Sequence, residues 1–215
     1  MRFHRSSLIA FATFALLLAC RDPHAAAPHA TTGAAATNAA APPVSARAGT
    51  QRLALSPATS TIGFIGRKVT FSHNGSFALF SGFIDLDAAH VENSTVSVDI
   101  DMNSVTVEPA RLLGHLRSAD FFDVARFPHA TFTTTAIRIG GANGATHTLT
   151  GTLSLHGQTR SITFPATINV APNEVTARSE FTINRRDFNI VYPGMPDDLI
   201  RDDVVIQLNL RLPRG

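Results

Sequence analysis

From Gln51 to the C-terminus, apolar side chains recur at every second position in one segment after another. This period of two restricts the fold more than any other feature, because it is the spacing of strands with one buried and one wet face. Val96, Val98, Ile100 and Met102 share a side, with Ser97, Asp99 and Asp101 opposite. Leu149, Leu153 and Leu155 alternate with Thr148, Thr150, Thr152 and Ser154. Ile162, Phe164, Ala166 and Ile168 oppose Ser161, Thr163, Thr167 and Asn169, and Phe181 and Ile183 oppose Glu180 and Thr182. The last segment sets Val204, Ile206, Leu208, Leu210 and Leu212 against Gln207, Asn209 and Arg211. Connections such as 140–144 (GGANG) and His156-Gly157-Gln158 are short and carry turn residues, as antiparallel neighbours require. The pattern predicts an all-β domain of about eight to ten strands, as a sandwich or a closed barrel. A barrel of eight strands is just wide enough to hold one small ligand, and these inner faces would make that ligand apolar.

Two stretches depart from simple alternation. Between Ile62 and Leu86, Phe77, Leu79 and Phe83 fall on one face while Phe80, Ile84 and Leu86 fall on the other. Here Gly75 suggests a turn, and Gly82 a bulge or a close backbone approach. Pro165, inside a strand-like run, suggests an edge or a bulge. The second departure runs from Pro109 to Phe132. Pro109 suits a first helical turn, and Leu112, Leu113 and Leu116 follow at helical spacing. A polar break, Ser118-Ala119-Asp120, then leads to the paired rings Phe121-Phe122. A short helix followed by phenylalanines predicts a cap over the open end of a sheet; the alternative is that these rings are ordinary core.

The first 49 residues have a different character. Arg2 and Arg5 precede an apolar run from Leu8 to Ala19, the layout of an export signal and too short to span a bilayer. The run ends in Leu17-Leu18-Ala19-Cys20, which resembles a bacterial lipobox, and Cys20 is the only cysteine of the chain. We therefore expect residues 1–19 to be a lipoprotein-type signal peptide, with Cys20 becoming a lipid-modified anchor at the periplasmic side of a membrane. Residues 21–49 contain 12 Ala and 4 Pro, with no Leu, Ile or aromatic residue. Such a composition offers little apolar surface to bury, so residues 20–49 are expected to form a disordered tether ahead of a folded domain at 50–215.

Chemistry-bearing patterns are scarce. The net charge of +2 disappears once Arg2 and Arg5 are set aside, leaving 16 basic and 16 acidic residues, and no basic stripe marks a nucleic-acid face. The nine histidines form neither an HExxH motif nor a helical i, i+4 pair. No Gly-x-Ser-x-Gly elbow occurs, and Asp99 and Asp101 belong to the polar face of their strand. No catalytic residue, metal or cofactor is expected. With 15 Phe, one Tyr and no Trp, the aromatic side chains are nearly all without a polar handle.

Four pieces in order carry a family resemblance. The stretch 115–123 (HLRSADFFD) with 127–132 (FPHATF) resembles the signature of the YceI-like lipid-binding family. Residues 151–159 (GTLSLHGQT) resemble its G-x-L-T-x-x-G-x-T hairpin, 181–188 (FTINRRDF) its I-N-R-x-D-F-G element, and 203–212 its closing strand. Asn189 stands where the family has glycine after Asp-Phe; asparagine is the next most tolerant residue of the left-handed region. The resemblance implies an antiparallel lipocalin-like barrel of about eight strands with one short capping helix. It also implies a long apolar tunnel for a polyisoprenoid or similar amphipathic lipid and export to the periplasm; it does not imply an enzyme, and none is expected. Candidate tunnel residues are Phe64, Phe71, Ile100, Leu112, Leu116, Phe121, Phe122, Phe132, Leu153, Phe164, Phe181 and Ile206. His115, Arg117 and Arg185 are candidates for headgroup contacts, since arginine pairs well with phosphate and other polar groups. The lipobox-like run yields a first prediction: Cys20→Ser moves the protein from the membrane fraction to the soluble fraction with its melting temperature unchanged. A Ser variant that stays with membranes in high salt places the anchor elsewhere.

Overall fold

The computed structural model describes residues 24, 26–35 and 49–214; the signal-peptide reading, Cys20 and much of the tether lie outside them. The described strands are β1 (Thr31–Ala34), β2 (Gln51–Leu55), β3 (Thr61–Arg67), β4 (Ser72–Phe77), β5 (Phe80–Leu86), β6 (Thr95–Asp101) and β7 (Val105–Val107). They continue with β8 (His129–Ile139), β9 (His147–Leu155), β10 (Gln158–Val170), β11 (Glu174–Asn184), the two-residue β12 (Gly194–Met195) and β13 (Asp198–Leu199), and β14 (Asp203–Pro213). One short helix, α1 (Leu113–Arg117), follows a 3-10 turn at Ala110–Leu112.

The pairing closes a barrel. Three pairs of successive strands are long staves broken midway: β2 with β3, β4 with β5, and β6 with β7. Thus β3 pairs with β4 and β2 with β5, while β5 pairs with β6 and β4 with β7. The ladder continues antiparallel through β6, β8, β9, β10, β11 and β14, and β14 returns to β3. Counted as staves, the ring has eight members, the number the family resemblance implies and the low end of the eight to ten strands read from alternation. At the gap between β2 and β3, the Ser60 hydroxyl accepts from the Arg211 N–H (3.0 Å) and donates to the Arg211 carbonyl (3.3 Å). Side-chain bonds thus extend the contact with β14 past the last ladder pair.

Breaks in the staves decide which side chains face inward. Across Ala78-Leu79, held by their N–H groups to the Ser104 carbonyl and hydroxyl, the inward positions change parity. Phe77, Ile84 and Leu86 all line the interior, whereas Leu79 is exposed and Phe83 lies under the Arg52 guanidinium. A bulge at Thr134/Ala136 in β8 does the same for Phe132 and Ile137. Gly75, expected in a turn, lies within β4, where a Cβ would come 2.2 Å from the Phe64 ring. Gly82 is a close approach: a Cβ there would lie 2.1 Å from the Ser97 carbonyl oxygen.

The tether reading needs a correction over residues 28–34. Thr31–Ala34 pairs antiparallel with β10, and Ala30 N–H and Pro28 C=O bond to the backbone of Thr182 in β11. Composition argues only about side chains, and this segment is held by its backbone.

The close approach at Gly82 generates a prediction. Because the obstructing atom is backbone and cannot rotate away, Gly82→Ala should destabilise by about 1–3 kcal/mol or more, as overpacking does, seen as a lower urea midpoint. Ser81→Ala, at an exposed neighbour, should leave the midpoint within error.

Candidate functional site: an apolar cavity

The inward faces of the staves enclose a cavity of about 250 Å³. Its wall is apolar almost throughout: of the lining residues only Ser94, Arg178, Ser179 and Arg185 carry polar side chains. Two groups of rings contribute. Phe64, Phe77 and Phe122 meet with centroids 5.6–6.1 Å apart, the Phe64–Phe122 pair edge to face. Phe132 reaches Phe164 at 5.6 Å, and Phe164 stacks on Phe181 at 4.1 Å.

One end of the barrel is covered by two segments. The ends of β3 and β11 and the starts of β8 and β14 lie there, so that 109–128 and 185–202 both cross it. Leu116, Phe121 and Phe122 from the first, and Arg185, Ile190 and Ile200 from the second, line the cavity. Arg185 holds the second segment in place. Its Nε donates to the Arg201 carbonyl (3.1 Å), Nη1 to Ile190 (2.6 Å), and Nη2 to Ile200 (3.4 Å) and to Asp202 Oδ1 (3.0 Å). The side chain is 4% exposed. Burial lowers its pKa from the ordinary arginine value, with Asp202 offsetting part of the effect. Asn189 takes the left-handed turn at φ 58° that glycine would otherwise fill, and its N–H reaches the Arg186 carbonyl (3.0 Å).

Of the residues singled out from sequence, Phe64, Ile100, Leu116, Phe121, Phe122, Phe132, Leu153, Phe164, Phe181 and Ile206 all line the cavity. Phe71 does not; it is 70% exposed between β3 and β4, where no partner strand imposes an inward face. Leu112 is half-buried but off the cavity wall, because it ends the 3-10 turn before α1 and so loses helical phase with Leu116. Two of the three headgroup candidates are also away from the wall. His115 sits on the rim between the Phe121 and Tyr192 rings and bonds Asp120 at 3.0 Å. Arg117 is exposed and donates to the Asn103 carbonyl. Sequence reasoning missed Phe77, whose parity the break hides, and Ile190 and Ile200, which stand in a stretch without alternation. Among the described residues no three His, Cys, Asp or Glu side chains converge as a metal site.

Eight antiparallel staves closed around an apolar cavity, with one short helix over an end, define a lipocalin-like barrel. Residues 53–212 match the YceI-like domain, and the chain belongs to that family. A UPF0312 protein of Pseudomonas putida is 35% identical over 144 residues, spanning 64% of this chain and 73% of that protein. One from Pseudomonas fluorescens is 32% identical over 140 residues, spanning 62% and 72%. Among solved structures, BcnA of Burkholderia cenocepacia superposes with a TM-score of 0.65 at 24% identity, covering 73% of this chain and 98% of that one. A polyisoprenoid binding domain from Saccharophagus degradans superposes with a TM-score of 0.59 at 18% identity, covering 76% and 98%. These likenesses show the fold.

The geometry of Arg185 predicts that Arg185→Met lowers unfolding free energy by about 3 kcal/mol, the low end for breaking a buried ion pair, since Asp202 keeps contact with water. Arg185→Lys should recover little, because an ammonium cannot reproduce the forked donors. Chemical denaturation of the two variants checks both statements.

Proposed function

We propose that the protein binds one amphipathic lipid of the polyisoprenoid class in the barrel and carries or sequesters it without chemical change. The single observation behind this reading is the apolar wall. A cavity of this kind is a cost to a purely structural domain: at about 24 cal/mol per Å³, 250 Å³ forfeits on the order of 6 kcal/mol. That is comparable to the whole net stability of many domains, roughly 5–15 kcal/mol. A hydrocarbon chain filling the space recovers the loss, at about 0.8 kcal/mol for each methylene buried. The alternative, a solid interaction module with no ligand, leaves the cavity unexplained.

The polyisoprenoid class is supported by family membership and by the fold shared with the polyisoprenoid binding domain of Saccharophagus degradans. A branched, unsaturated chain suits a wall of phenylalanine, leucine, isoleucine and valine. We place the polar headgroup at the end crossed by 109–128 and 185–202. There Arg185 lines the cavity with one Nη1 hydrogen beyond its four bonds to protein. His115 belongs to α1, in the other segment that crosses this end, packed against Phe121 and Tyr192. In this reading the protein is exported to the periplasm and held at a membrane through lipidated Cys20, delivering or withholding lipid close to its source.

Mass spectrometry of organic extracts from purified protein tests the proposal, and a polyisoprenoid quinone or alcohol at near one per chain is the expected result. Truncation tests the wall. In a solid core Phe→Ala costs about 3–5 kcal/mol, but a ring lining a cavity has fewer atoms to lose contact with. Phe122→Ala should therefore weaken lipid retention about tenfold while lowering the stability of delipidated protein by less than that range. Melting is compared after delipidation, because bound lipid stabilises by mass action. A full-size stability loss in the variant, with no lipid extractable from the parent, would falsify the lipid reading.

A further inference from the structure

The strand made by residues 31–34 occupies a particular place in the barrel. β10 and β11 pair directly only from Thr167↔Arg178 to Val170↔Val175. At Pro165, which has no N–H to donate, the two strands part, and the Ser179 hydroxyl donates to the Pro165 carbonyl at 2.5 Å. Beyond that point β1 fills the gap. On one side it is antiparallel to β10, from Thr31↔Thr163 to Ala34↔Arg160. On the other, His29 bridges Thr182 in parallel, with Ala30 N–H to Thr182 C=O at 2.8 Å and Thr182 N–H to Pro28 C=O at 2.9 Å. The wall of the barrel is therefore completed here by a segment from outside the eight staves.

This inserted piece differs from the strands it joins. Three of the four residues of β1 are exposed, and 28–34 (PHATTGA) has no apolar side chain larger than proline. It is held by backbone bonds and by ion-pair contacts at the surface, His24 to Glu180 (2.9 Å) and His29 to Asp203 (3.7 Å), of a type that is individually weak in water. Directly inside the gap lie Phe164 and Phe181, stacked face to face, and both line the cavity. Ala30 packs against the same cluster. Removing the strand would leave two unpaired strand edges with only that ring pair between solvent and the cavity.

We propose that residues 28–34 form a removable strand that shuts a lateral port between β10 and β11, and that its withdrawal admits and releases the lipid chain sideways. The inference rests on the lipid-binding reading above. A port in the side wall lets a long chain slide in along its length, without unseating the buried Arg185 network that braces the covered end. Phe164 and Phe181 are the inner leaf, able to part by side-chain rotation once the backbone edges separate.

The test joins Thr31→Cys to Thr163→Cys in the full chain carrying Cys20→Ser, so that the two new thiols are alone. Protein loaded with a dansyl-labelled polyprenol is mixed with excess phosphatidylcholine vesicles, and transfer of the probe is timed with the pair oxidised and again after reduction. Oxidation is expected to slow transfer at least tenfold and reduction to restore it; deletion of 26–35 is expected to speed transfer. Comparing one chain in two redox states keeps the test valid even if the deletion fails to fold. Equal rates in both states, in protein that does bind the probe, overturn the port and leave lipid binding standing. If the Cys20→Ser parent takes up no probe, the lipid reading fails and the port fails with it.

Discussion

Closure of the ladder by β14 is the interaction on which the structure depends. β14 pairs along its whole length with β11, from Glu174↔Pro213 to Asn184↔Asp203, and on its other edge with β3. Without it the sheet would be open, with two long unpaired edges and one large apolar face in water. Once the ring closes, strand number and tilt set its radius, and every second side chain is committed to the interior. Eight staves leave more room than the side chains of this chain fill, so the cavity follows from closure together with the residues chosen for the inner face.

Polar groups appear where the ring must be covered or joined, and they are satisfied there. Among the described residues no buried side-chain nitrogen or oxygen lacks a partner. Arg185 replaces water with three carbonyls and a carboxylate, which is how a cation can sit beside an apolar wall without a prohibitive desolvation cost. On the outer surface Arg52 grips Asp85 with two bonds, 2.6 and 2.7 Å, and covers it almost completely. Donating these hydrogen bonds to the Asp85 carboxylate raises the arginine pKa against a smaller effect of burial. Both arginines do structural duty that the period-two pattern of the sequence does not reveal.

Pro165 links a single residue to the architecture of the wall. Its missing N–H falls where β10 stops pairing with β11, and the two strands diverge from there. The unpaired edges that result are polar, demand hydrogen bonds, and take them from residues 28–34. A segment with no hydrophobic reason to fold is thereby ordered by the backbone needs of the barrel beside it. The same arrangement leaves this part of the wall held by backbone bonds more than by side-chain burial.

Much of this was legible in the sequence. The alternation in β6, β9, β10, β11 and β14 determined which residues face inward, because within an unbroken strand the period of two leaves no choice. The resemblance over 115–132, 151–159 and 181–188 pointed to the barrel, and the Phe121-Phe122 pair to its cap. What tertiary structure decided lies wherever a strand breaks or two distant segments meet. The parity change at Ala78-Leu79 put Phe77 inside. Phase lost between a 3-10 turn and α1 took Leu112 off the wall, and a loop without a partner strand left Phe71 in water. The docking of residues 28–34 depended on strand edges more than 120 positions away in the chain. Local sequence states what a residue prefers to be next to; only the closed ring states which surfaces are left to be next to.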